Sequence, residues 1–118
     1  MNTITAVGYQ WDAIRMPRYL GLAAAALLGD GIGTVIVEPG ERRMYVLVPA
    51  GAAATWDYPE TRALGRDSYL PLPPPACTRP PGPYWLTPPD WRWPLADPAK
   101  LLTALEAVAS PTRDAPCP

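Results

Sequence analysis

The chain has 118 residues, enough for one domain with a single modest core. It carries 18 prolines, no phenylalanine and no histidine; ten basic residues against eleven acidic ones leave a net charge of −1 and a pI near 5.2. Without histidine, a His-based hydrolase triad is excluded and a zinc site on the two cysteines has no support. Without net positive charge, any hold on nucleic acid must come from a local arginine cluster or from ring stacking.

Thr3–Val7 is rich in β-branched residues and predicts a short opening strand. Trp11–Met16 predicts a second. Pro17 fits the first position of a helix, where its missing N–H is no loss. The helix runs over Arg18–Leu28, with Leu20, Ala23, Ala24, Leu27 and Leu28 on one face. Gly21 inside it costs about 1 kcal/mol, and Gly29-Asp30-Gly31 ends it. The apolar run Tyr19–Gly29 is half of the ~20 residues that span a bilayer. It reads as a core helix rather than a signal peptide, so the protein is expected in the cytoplasm with no membrane partner.

Gly33–Glu38 and Arg43–Val48 predict a hairpin around a Pro39–Arg42 turn. Ala50–Glu60 reads as a loop with a short helical turn. Thr61–Leu64 and Ser68–Leu72 are strand candidates on either side of a Gly65-Arg66-Asp67 bend. Pro71–Pro83 is too dense in proline for helix or central strand and predicts an extended surface loop. Tyr84–Leu86 returns as a strand. Asp97 caps a helix that opens with Pro98, runs to Ala109 and buries Leu101, Leu102, Leu105 and Val108. The whole predicts one α+β domain over residues 1–109: a mixed, largely antiparallel sheet of about five strands with two helices packed on it. Residues 110–118 are expected to form a disordered tail. Cys77 and Cys117 are most simply free thiols, and no cofactor is called for.

Several residues are candidates for a site. Arg42 and Arg43, beside the Pro39-Gly40 turn, could form a phosphate-binding patch with Arg62 and Arg66, because guanidinium groups grip phosphate bidentately. The competing reading is a pair of solvated arginines balanced by Glu38 and Glu41. Tyr69 and Trp85 are candidate stacking rings. Trp91 and Trp93 share a face in an extended segment and are candidates for binding a protein partner or a second copy. Asp57 and Glu60 form a weaker carboxylate pair.

Arg-Arg-Met-Tyr-Val-Leu-Val-Pro at 42–49, Leu-Gly-Arg-Asp-Ser-Tyr-Leu-Pro-Leu-Pro-Pro-Pro at 64–75 and Tyr84-Trp85 follow one another in an order that resembles part of the bifunctional primase/polymerase (prim-pol) domain. The resemblance covers roughly residues 33–86, with Tyr45, Pro49, Gly65, Tyr69, Pro73-Pro74 and Tyr84-Trp85 in matching places. Small high-GC bacterial proteins with the same Trp-Asp-Ala, Leu-Gly-Leu and Pro-Pro-Pro signposts also look similar. In the prim-pol family this region lines a nucleotide pocket, and metal-dependent transfer needs an Asp-x-Asp pair, a histidine and a third acid. Here the corresponding strand offers Glu38 alone, the histidine falls near Arg42–Met44 and the third acid near Arg62. The resemblance therefore implies a non-catalytic member that binds nucleic acid or a nucleotide. A protein-interaction or regulatory role on a Trp/Pro-rich surface is the alternative. A metal-dependent transferase using Glu38, Glu41 and Asp67 is the least favoured reading.

Overall fold

The computed structural model describes residues 3–6, 11–65, 68–74, 76–87 and 95–109. In chain order the elements are β1 (Thr3–Ala6), β2 (Trp11–Pro17), α1 (Arg18–Leu28), β3 (Val35–Glu38), β4 (Arg43–Pro49), β5 (Arg62–Leu64), β6 (Tyr69–Leu72), β7 (Tyr84–Thr87) and α2 (Pro98–Ala109). Five strands form an antiparallel sheet in the order β5-β2-β4-β3-β7, and β1 pairs with β6 in a separate two-stranded ribbon. The α+β class predicted from the sequence is the class observed. β4 is inserted between β2 and β3, which therefore run parallel and are joined through α1: a split β-α-β unit.

Side chains alternate across each strand, so the sheet has two faces. On one face Ile14, Met16, Val35, Val37, Met44, Val46 and Val48 pack against Leu20 and Ala24 of α1 and Leu101, Ala104 and Leu105 of α2. On the other, Trp11, Ala13, Ile36, Tyr45, Leu47, Leu64 and Trp85 pack against Leu70 of β6. Burial on both faces is why β4 reads as an almost continuous apolar run from Met44 to Val48, whereas β2 carries Asp12 and the half-buried Arg15 among its apolar residues.

Local chemistry sets the ends of the elements. Asp97 caps α2 by accepting the Ala99 N–H at 2.9 Å, as its position before Pro98 predicts. The β3–β4 turn closes with the Arg42 N–H on the Pro39 carbonyl at 3.2 Å, and the Arg18 N–H that opens α1 donates to the Arg42 carbonyl at 2.8 Å. Asp12, only 3 % exposed, is a charged residue inside a core strand. One carboxylate oxygen accepts the N–H groups of both Gly51 and Ala53, each at 2.9 Å, and so fastens the turn after β4 to the sheet.

Three expectations need correction. Pro17 is the last residue of β2 and the cap of α1, with extended ψ of 144°, rather than its first helical residue. Leu27 is 59 % exposed; the buried face of α1 is Leu20, Gly21 and Ala24. Gly21 is there because an added Cβ would sit 2.6 Å from the Met44 sulfur, so its helix cost is the condition for close packing on β4. The proline segment is not wholly a surface loop. Pro71 and Leu72 belong to β6, and Pro73 is buried. Prolines supply carbonyl acceptors but no N–H, and the Trp85 indole N–H meets that excess by donating to the carbonyls of Pro73 and Pro74 at 3.0 and 3.1 Å. The predicted tail at 110–118 lies outside the described residues. Among those described, no helix is long and apolar enough to cross a membrane.

Candidate functional site

The sheet face opposite the helices is covered only in part. β6 lies over its apolar end, where Leu47, Leu64 and Trp11 are buried. Further along the strands the same face turns polar. The register aligns Arg62 of β5 with Arg15 of β2, Arg15 with Tyr45 of β4, and Tyr45 with Ile36 of β3. One step on, Pro17, Arg43 and Glu38 form the next row. Residues in register share a face, so Arg62, Arg15 and Arg43 leave the sheet on one side.

They meet in a cleft of about 670 Å³ lined by Arg15, Arg42, Arg43 and Arg62 together with Glu41, Glu60 and Thr61. That volume suits a small ligand. Three of the four arginines predicted to form a phosphate patch are thus brought together; the fourth, Arg66, lies outside the described residues. Four guanidinium groups against two carboxylates leave the cleft two charges positive within a chain of net charge −1. Among the described residues the only salt bridge is Arg43–Glu41, at 3.9 Å between exposed groups, which contributes little.

Two features set this cleft apart. Arg15 and Arg62 are like charges directly opposite on neighbouring strands, an arrangement that destabilises a sheet. In addition, the two non-glycine residues with left-handed backbone among those described, Arg42 (φ 56°) and Glu60 (φ 67°), both line it. Such conformations cost about 1–2 kcal/mol each and collect at functional sites.

The neighbouring acids are engaged. Glu38 accepts the Tyr45 hydroxyl at 2.9 Å. Burial, then that carboxylate, raises the Tyr45 pKa above its ordinary value. Glu60 accepts the hydroxyl of Tyr19 on α1. That hydrogen bond raises the exposed Tyr19 phenol in the same direction, with desolvation and the carboxylate charge adding to it. Asp57 and Glu60 do not form a pair: Glu60 lines the arginine cleft, and Asp57 a separate pocket beside Trp56 and the start of α2.

The stacking expectation fails for Trp85, which is 3 % exposed, its indole tied to the proline carbonyls. Tyr69 lies on β6 opposite Ala6, with its side chain outside the described part. Trp91, Trp93 and Asp67 lie outside it too. Arg15 was not among the candidates. Its signal was its place in the Trp11-Ala13-Arg15 alternation, a lone charge on an otherwise apolar row, but its meaning depends on β2 lying beside β5. Comparison with family models, with curated proteins and with solved structures gives no match.

Proposed function

We propose that this chain is a non-catalytic binding module with a prim-pol-like fold that holds nucleic acid or a nucleotide by its phosphate in the arginine cleft, in the cytoplasm. The observation that carries the reading is the convergence of Arg15, Arg42, Arg43 and Arg62 on one concave site, with Arg15 and Arg62 opposed in register. A bound anion would relieve that repulsion and would accept the bidentate bonds that guanidinium groups offer. The local charge also answers the objection raised by the acidic pI, since recognition needs a cluster rather than a basic surface. Non-catalysis rests on the resemblance, whose acid and histidine positions are filled here by other residues.

The test is fluorescence anisotropy of labelled single-stranded and primer–template DNA at about 50 and 200 mM salt. Two net charges predict a log–log salt slope of about −1.4 on single strands, and so about a sevenfold loss of affinity over that range. Binding should vanish in the Arg42→Ala/Arg43→Ala double variant. No saturable binding to DNA or nucleotides at tens of micromolar protein would sink the proposal. Binding that survives the double variant would move the site elsewhere, with the Trp91/Trp93 segment next in line as a partner surface.

A further inference from the structure

We infer that the cleft recognises a terminal, dianionic phosphate, the monoester end of a strand or of a mononucleotide, in preference to the diester phosphates inside a chain. This rests on the phosphate-binding reading above and narrows it to one chemical class.

The first argument is convergence. Cross-strand partners leave the sheet with Cβ atoms about 5 Å apart, and diagonal neighbours about 7–8 Å apart. Arg15 and Arg62 are partners of the first kind, and Arg43 is the diagonal neighbour of Arg15 across β2 and β4. Arg15 and Arg62 thus rise from adjacent points, Arg43 rises from the strand on the other side of Arg15, and Arg42 adds a fourth guanidinium group from the adjoining turn, all four lining one cleft. A groove that follows a polynucleotide spreads its cations along the backbone. This one gathers them around a single cleft.

Charge is the second argument. The cleft lining is two charges positive, with Glu38 standing beside it as the cross-strand partner of Arg43, and a phosphate monoester with close to two negative charges at neutral pH offsets that lining more fully than a diester does. A diester carries one and would leave the Arg15–Arg62 repulsion partly uncompensated.

The third concerns the rest of the ligand. Tyr45 and Trp85 share this face of the sheet, but they are 6 % and 3 % exposed and offer no free ring to a base. The apolar end of the face is occupied by Leu70 and Leu72 of β6. The exposed ring beside the cleft is Tyr19, bonded through its hydroxyl to Glu60, and stacking on such a ring is sequence-tolerant, so recognition here is by charge and independent of base identity.

The experiment compares one labelled oligonucleotide with a 5′-phosphate and with a 5′-hydroxyl, with unlabelled 5′-mononucleotide as competitor. The full chain, its Arg62→Gln variant and an Arg79→Gln control outside the cleft are measured, each checked by its melting temperature. Charged hydrogen bonds predict about tenfold tighter binding or more for the 5′-phosphorylated strand. Arg62→Gln should erase the preference, while Arg79→Gln keeps it. Competition by the mononucleotide at matching concentration would identify the free nucleotide as a sufficient ligand; its failure to compete, with the preference intact, would assign the site to strand ends. Equal binding of the two strands, still lost in Arg62→Gln, would overturn this inference and leave the phosphate reading standing. Binding of neither strand nor mononucleotide would overturn both.

Discussion

Replacing Arg62 with glutamine should stabilise the unliganded protein while weakening its hold on phosphate. Arg62 is exposed and stands directly opposite the half-buried Arg15. Cross-strand partners have Cβ atoms about 5 Å apart, and unit charges held at about 6 Å would repel by about 0.7 kcal/mol at the dielectric constant of water, the appropriate value for an exposed partner. Glutamine removes the charge and keeps much of the aliphatic stem. A gain of about 0.7 kcal/mol raises the melting temperature of a domain this size by roughly 3 °C. The gain should be seen at about 10 mM salt and disappear near 1 M, where the screening length falls to about 3 Å. Phosphate should act in the opposite sense. At ten times its Kd it stabilises the native protein by about 1.4 kcal/mol, or roughly 6 °C. If the variant binds tenfold more weakly, that shift falls to about 0.4 kcal/mol. Thermal unfolding followed by tryptophan fluorescence, at both salt concentrations and with and without phosphate, reads all of these quantities. A variant less stable than the parent at low salt, or one with an undiminished phosphate shift, would refute the reasoning.

Three further outcomes are expected. Asp12→Ala removes the acceptor of two charge-assisted bonds; at about 1.5 kcal/mol each it should cost about 3 kcal/mol and lower the urea midpoint by about 2 M, with Asp12→Asn costing about half, whereas an unchanged midpoint would show that the anchor contributes nothing. Gly21→Ala gains about 1 kcal/mol of helix propensity but forces a Cβ to 2.6 Å from the Met44 sulfur and 3.1 Å from its Cβ, so a net loss of about 1 kcal/mol is expected by calorimetry and a more stable variant would contradict the packing. The fold raises the Tyr45 pKa and so favours its neutral form; the stability this supplies is complete below about pH 10 and is lost as pH rises through the folded-state value. Melting temperatures between about pH 9 and 11.5 should therefore fall less steeply for Tyr45→Phe than for the parent, and parallel curves would dismiss the coupling.

Features decided by neighbouring residues are legible in the sequence. The Asp97-Pro98 start of α2, the Pro39–Arg42 turn and the limits of α1 each depend on a few adjacent side chains. Which face of α1 is buried was less legible, because Leu27 and Gly21 are distinguished only by where Met44 of β4 lies. The same division runs through the site. Arg42 and Arg43 declare themselves beside a turn, and Arg62 can be guessed with them. Arg15 cannot, because its partners on β4 and β5 are remote in sequence. Trp85 could equally have served as a surface ring; the carbonyls of Pro73 and Pro74, which it satisfies, decide that it is core.

The strand order bears on how fast the molecule forms. Among the described ladders only β3–β4 is closed by a tight turn, and such hairpins form in about 1–10 μs. The others join distant segments: Thr3 to Leu72, Ala13 to Leu64, Val37 to Tyr84. Sheets made of such pairings fold in milliseconds to seconds, because the entropy of closing each loop is lost before the contacts form. β5, three residues long and at the sheet edge, is expected to join after the hairpin has recruited β2. Its arrival brings Arg62 against Arg15, so that repulsion would be felt after the barrier. In a chevron plot, neutralising Arg62 should slow the unfolding arm and leave the folding arm nearly unchanged.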